Sequence, residues 1–240
     1  MPLGIGTAVG NESLYTYGLD PTLHRLGGEM SPGRVKRLKS LEKRYGPIPN
    51  GSYRESLSRI LERLLPRVRK EEQLHIIVDG KPDYRTAAQR HLESGRLRME
   101  VYPNPPRRRK RESRSRQAAV RDRVMFPVDL LHKLMRHSNA NHKRETLAFG
   151  RRANSIMLRE HGFTVWRNFG KDVSERRPQR QSPAMKIGLT DRIWGWKEVL
   201  CRRLFPWRIN LSAMDRKLYS MGLETPAVGK NRRHELKNAF

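Results

Sequence analysis

The chain has 240 residues and a mass of 28.1 kDa, enough for one or two domains with a real core. It carries 51 Lys+Arg against 24 Asp+Glu, a net charge of +27, and only 36% hydrophobic residues. That surplus calls for a polyanion, and nucleic acid is the usual one. No apolar run is long enough to span a bilayer, so no membrane partner is expected. One cysteine, Cys201, excludes an internal disulfide framework and a Cys-based zinc site, and points to a reducing, cytoplasmic compartment.

Residues 1–27 are Gly-rich and weakly strand-like, and "PLGIGTAV" reads as a strand entered partway. The Leu-Asp-Pro around Asp20 reads as a turn rather than a strand. Ser31 and Pro32 predict a helix start, with Ser31 as cap and Gly46-Pro47 as the stop. A second helix follows with Leu57, Ile60, Leu61, Leu64 and Leu65 on one side, ended by Pro66. "QLHIIVDG" reads as a central strand covered on both faces and running into Asp79. "PDYRTAAQRHLESG" predicts a helix ended by Gly95, and "RLRMEVYP" another strand.

The stretch from Asn104 to Val124 is strongly basic and reads as a solvated loop or a phosphate-contacting arm over residues 107–116. "FPVDLLHKLMRH" predicts a helix. His132, His137 and His142 read as surface histidines rather than metal ligands. A further helix is expected through "NHKRETLAFG" to about Gly162. Phe149, Ala153, Ile156 and Met157 form its apolar stripe, and Glu145 lies one turn before Phe149. From about Ser174 the chain reads as a polar, basic linker. A helix is then expected over "LTDRIWGWKEVLCRRLF" with Thr190 as its cap, and the final residues read as loose. Trp194, Trp196 and Trp207 alternate with cations. Stacking on unpaired bases and packing on the core are both open to them, and the stripe of Ile193, Trp196, Val199, Leu200 and Leu204 favours packing.

Two acids stand out by position. Asp79 ends a strand, where ligands gather in open α/β sheets. Glu145 projects toward apolar neighbours, where an unpaired charge must protonate, pair with a cation or bind a metal. Plainer roles are also available: an Asx-turn into Gly80 for Asp79, and an ion pair with Arg152 for Glu145.

"IIVDGKPDY" followed by "HSNANHKRETLAFGRRANSIMLREHGFTVWRNF" resembles the second half of a DDE transposase from a bacterial insertion sequence, near the small insertion-sequence-one type. The similarity covers roughly residues 70–170. Asp79 matches the acid that ends the fourth strand of a ribonuclease H-like sheet, and Asn141, Arg144 and Glu145 match the later helical motif. The resemblance implies a mixed α/β fold: an incomplete ribonuclease H-like core at 71–170, a remnant hairpin with helices at 1–70, and a basic helical extension at 171–240.

It implies Asp79 and Glu145 as catalytic, metal-holding acids for Mg²⁺ or Mn²⁺, bound weakly. Arg107, Arg108, Arg109, Lys110, Arg111, Lys143, Arg144, Arg151 and Arg152 would contact DNA. The partners implied are the element ends and target DNA, with a homo-oligomer and a nucleoid location also allowed. The family's first acid sits on its first strand, and the only aspartate before Asp79 is Asp20, a poor match. The chain is therefore expected to begin after the first catalytic acid and to be at best a feeble transposase. Asp83 or Glu160 could replace that acid. A non-enzymatic nucleic-acid binder is the competing reading.

Overall fold

The computed structural model describes residues 3–23, 30–47, 50–106, 112–142, 152–201 and 210–223. It opens with a hairpin of β1 (Leu3–Val9) and β2 (Thr16–Leu23), paired antiparallel with Gly6 opposite Asp20 and Val9 opposite Thr16. Asp20 therefore lies inside a strand, not a turn. Among the described residues β2 pairs with β1 alone, and an edge strand tolerates Pro21, which has no N–H to give a second neighbour. The start of β2 is tied from the side. Asn168 donates Nδ2 to the Thr16 carbonyl at 3.0 Å, and its Oδ1 accepts the Thr16 N–H at 2.9 Å.

Helices α1 (Pro32–Tyr45) and α2 (Ser52–Leu64) follow, the second running into a short 3₁₀ turn at Leu65–Arg67. Ser31 precedes α1, but its side chain makes no cap hydrogen bond. Strand β3 (Leu74–Val78), helix α3 (Pro82–Glu93) and strand β4 (Leu97–Val101) form a βαβ unit whose strands are parallel, Leu74 opposite Leu97 and Val78 opposite Val101. The expected central strand is corrected here. Among the described residues β3 pairs only with β4, so its apolar run reflects burial against helices and not a position between two strands.

The remaining helices are α4 (Arg116–Val124), α5 (Phe126–Ser138), α6 (Ala153–Val165), α7 (Pro183–Lys186), α8 (Trp196–Cys201) and α9 (Ala213–Tyr219). A π-helical turn over Trp166–Gly170 extends α6. The fold is mixed α and β, with two small sheets and many helices.

The hairpin is covered on both faces. On one, Leu19 packs with Met157 of α6 and Leu218 of α9, and Ile5 and Val9 join the cluster of Leu131, Met135 and Phe163. On the other lies α2. A Cβ on Gly6 would meet the Ser56 Oγ at 2.3 Å, so glycine is what lets helix and strand approach this closely. The opposite side of α2 presents Leu57, Leu61 and Leu65 to Ala88, Leu97, Leu74 and Ile76. One helix thus covers both sheets. One apolar cluster joins the hairpin to α6 and α9, and a separate one joins α2 to the βαβ unit.

Four more expectations change. The basic stretch is helical from Arg116, capped by Ser115 accepting the Ala118 N–H at 3.1 Å; residues 107–111 lie outside the described residues. The helix expected through residues 141–150 to about Gly162 is described from Ala153 to Val165, with residues 143–151 outside the described residues. Arg152 is extended (φ −119°, ψ 127°), so α6 starts at Ala153, and Ala153, Ile156 and Met157 of the expected stripe are buried. Thr190 Oγ1 has no hydrogen-bond partner among the described residues, and α8 starts at Trp196 with Glu198 accepting the Gly195 N–H at 2.7 Å. Residues 212–219 are not loose: Ser212 caps α9, whose Leu218 is buried. No helix among the described residues is long and apolar enough to cross a membrane.

Asp20 is fully buried. Its Oδ1 accepts Arg59 Nη2 and its Oδ2 accepts Arg63 Nη2, both at 2.7 Å. Removing one member of a buried ion pair leaves charge without compensation. Asp20→Asn should cost about 3 kcal/mol, read as a lowered urea midpoint. Asp83→Asn, half-buried in the first turn of α3 and in no ion pair among the described residues, should lower that midpoint far less.

Candidate functional site

The carboxyl end of β3 delivers Asp79 into a turn made by Gly80 (φ 87°) before Pro82 opens α3. A Cβ on Gly80 would touch Val101 Cγ1 at 3.2 Å and Pro103 Cβ at 3.4 Å, so the turn is pressed against the end of β4. Asp79 Oδ2 accepts a long hydrogen bond from Asn104 Nδ2 at 3.4 Å. Its Oδ1 is buried and has no hydrogen-bond partner among the described residues. Neither oxygen accepts a backbone N–H there, so the turn is held by Gly80 and Pro82 rather than by an Asx-turn.

Its surroundings are polar on one side and apolar on the other. Burial pushes the Tyr84 hydroxyl well above its ordinary range, and the charges of Asp79, Tyr53 and Asp83 push the same way. Lys81 places its ammonium 3.3 Å from the centre of the Tyr53 ring. From α5, His132 reaches Thr7 Oγ1 of β1 at 3.0 Å. Burial lowers the His132 pKa and Arg136 adds to that, while Asp129 and Asp79 oppose it. His132 is therefore not a surface histidine. It joins the hairpin to the neighbourhood of Asp79.

The second acid of interest is one the sequence offered only as a substitute. Glu160 is fully buried on α6, in phase with Ala153, Ile156, Met157 and Phe163. Its Oε1 accepts Asn139 Nδ2 at 2.6 Å and is 2.7 Å from His142 Nε2. Its Oε2 is buried without a partner among the described residues. His142 is thus a latch on a buried acid, not a surface histidine. The stripe spacing of α6 carried this signal. Glu160 falls on that stripe, but a charged residue adds nothing to an apolar pattern.

Among the described residues, no group of three or more His, Cys, Asp and Glu side chains is arranged to hold a metal. Asp20 is committed to Arg59 and Arg63 and lies on the α2 face of the hairpin. Glu145, Lys143, Arg144, Arg151 and Arg107 to Arg111 lie outside the described residues; Arg152 is exposed just before α6. Compared with known protein families, curated proteins and solved structures, the chain matches none.

Because burial keeps His132 neutral, its folded pKa lies below the unfolded value of 6.5. The unfolded chain then takes up the proton first as pH falls, and stability drops below pH 6.5 until the folded pKa is passed. His161, lowered by burial as well, acts in the same sense. The unfolding midpoint should fall between about pH 6.5 and 5, and the His132→Asn, His161→Asn double variant should flatten that slope.

Proposed function

We propose that this chain is a DNA-binding protein of the DDE-transposase type, holding DNA on a cationic surface and presenting Asp79 as one of its metal-holding acids. The observation that carries the reading is the Asp79 carboxylate. It stands at the carboxyl end of a parallel strand with one oxygen buried and unpartnered among the described residues, in a chain of net charge +27. An orphaned carboxylate oxygen fits one ligand of a divalent cation. Together with Glu145 it would hold Mg²⁺ or Mn²⁺, and such an ion would supply charge stabilisation at a scissile phosphate. Asp20 does not fit as a third ligand, because two guanidinium groups already neutralise it.

The residues themselves do simpler work. Asp79 orients its free oxygen through the Gly80 turn, Asn104 steadies the other oxygen, and arginines and lysines neutralise phosphates. Two acids rather than three give weak metal binding and feeble strand transfer.

A second reading is favoured by the Asp20 ion pairs: a nucleic-acid binder without catalysis. The two separate on variants. On labelled duplex DNA, a chain making six to ten phosphate contacts should lose about 10³-fold or more in affinity between 50 and 200 mM salt. Asp79→Asn and Glu145→Gln should leave that binding intact while abolishing Mn²⁺ binding in a spin-resonance titration and any Mn²⁺-dependent plasmid nicking. Salt-insensitive binding would sink both readings. Salt-sensitive binding with Mn²⁺ uptake unchanged in both variants would leave the binder alone.

A further inference from the structure

The basic stretch after Lys171 is a built loop rather than a linker. Asp172 organises it. Its Oδ1 accepts the backbone N–H of Ser174 at 2.9 Å and of Gln179 at 3.2 Å, and its Oδ2 accepts that of Gln181 at 3.3 Å. These donors, led by Ser174, hold the carboxyl group below its ordinary pKa. The neck is closed by the Val173 N–H on the Gln181 carbonyl at 2.9 Å. Beneath it the buried Arg167 gives Nη1 to the Asp172 carbonyl at 2.8 Å and Nη2 to the Val173 carbonyl at 3.3 Å. Inside, the Arg177 N–H meets Ser174 Oγ at 3.1 Å. Ser182, fully buried, caps α7 at the exit.

The loop spends this scaffolding on displaying like charges. Arg176, Arg177 and Arg180 are all exposed, and no acid pairs with them among the described residues. Glu175, the one acid at the tip, is taken by Lys171. Arg180 sits at φ 54°, a left-handed conformation that costs a non-glycine residue about 1 kcal/mol. Three exposed cations on one backbone-tied loop, one of them in a left-handed conformation, form no ion pair among the described residues. They give a polyanion a site whose ordering cost is already met.

We propose that residues 172–181 form a preformed clamp for the backbone phosphates of duplex DNA, gripped by Arg176, Arg177 and Arg180. The surface rests on the DNA-binding reading above and adds a contact region to it. A guanidinium matches a phosphate bidentately, and fixed spacing suits a regular backbone. The tip, Glu175 to Arg180, carries no aromatic or aliphatic anchor except Pro178, which argues against a lipid surface.

The test uses the full chain and a fluorescein-labelled duplex of about 30 base pairs, with affinity measured against salt. Arg176→Gln, Arg177→Gln, Arg180→Gln together should lower the slope of log affinity against log salt by about 2 to 3. Asp172→Ala discriminates further. It makes the chain more positive, so charge alone predicts tighter binding, whereas loss of the scaffold predicts binding several-fold weaker. Asp172→Asn, which keeps the side chain's size, guards against a folding defect and should weaken binding in the same direction. An unchanged slope in the triple variant, or tighter binding by both Asp172 variants, overturns the clamp while DNA binding stands. Capture by anionic phosphatidylserine vesicles but not by duplex overturns it in favour of a membrane. No wild-type binding to duplex removes the DNA-binding reading itself.

Discussion

Helix α2 is the constraint from which the rest of the fold follows. Its two sides do different chemistry. Arg59 and Arg63 close on the buried Asp20 and fix the helix to the hairpin; Leu57, Leu61 and Leu65 cover the βαβ unit. The fully buried Leu61 contributes about 1.5–3 kcal/mol and the partly buried Leu57 and Leu65 less each, so the apolar side supplies much of the favourable energy. The ion pairs set position more than stability, because desolvating three charges offsets much of their attraction. Without α2 the two-stranded sheets would have no common cover, and two-stranded sheets are marginal on their own.

That arrangement also decides what Asp20 can do. A carboxylate that already serves two guanidinium groups has no lone pair readily given to a metal. Asp79 is in the reverse position, with one long hydrogen bond and one oxygen without a partner among the described residues. Two aspartates near strand backbones thus take opposite roles for a local reason: α2 sets two cations against one of them, and none of the described cations forms an ion pair with the other.

What could be read from the sequence follows the strength of its local signals. The βαβ unit was legible because an apolar run, Gly80, Pro82 and Gly95 all punctuate it at the right places. The hairpin was half legible: glycines and threonines suggested strand, but Asp-Pro suggested a turn, and only the edge position of β2 reconciles them. Helix α6 was found in the right phase, with Ala153, Ile156 and Met157 buried as expected, but its start at Ala153 was not, and the buried acid of the described helix is Glu160, joined to Asn139 and His142 some twenty residues upstream in the chain. Such partners leave no periodic trace. The Asp172 loop was illegible for a related reason, since side-chain to backbone bonds make a polar stretch rigid without altering its composition.

The acids of this chain share a pattern that bears on its charge. Asp20 faces arginines, Glu160 faces Asn139 and His142, Asp172 faces backbone N–H groups, and Arg121 joins Asp122 and Asp129. Among the described acids Asp20 and Glu160 are buried, and several others are already tied to a cation or to backbone N–H groups. Salt acts unequally on exposed and buried charges. Exposed cations facing a phosphate backbone are screened within a Debye length of about 8 Å at physiological ionic strength, while buried pairs such as Asp20 with Arg59 are screened far less. Under the proposed DNA-binding reading, a rise in salt would therefore loosen the grip on a polyanion well before it loosens the fold, and the same separation would let binding be measured over a wide salt range on an intact protein.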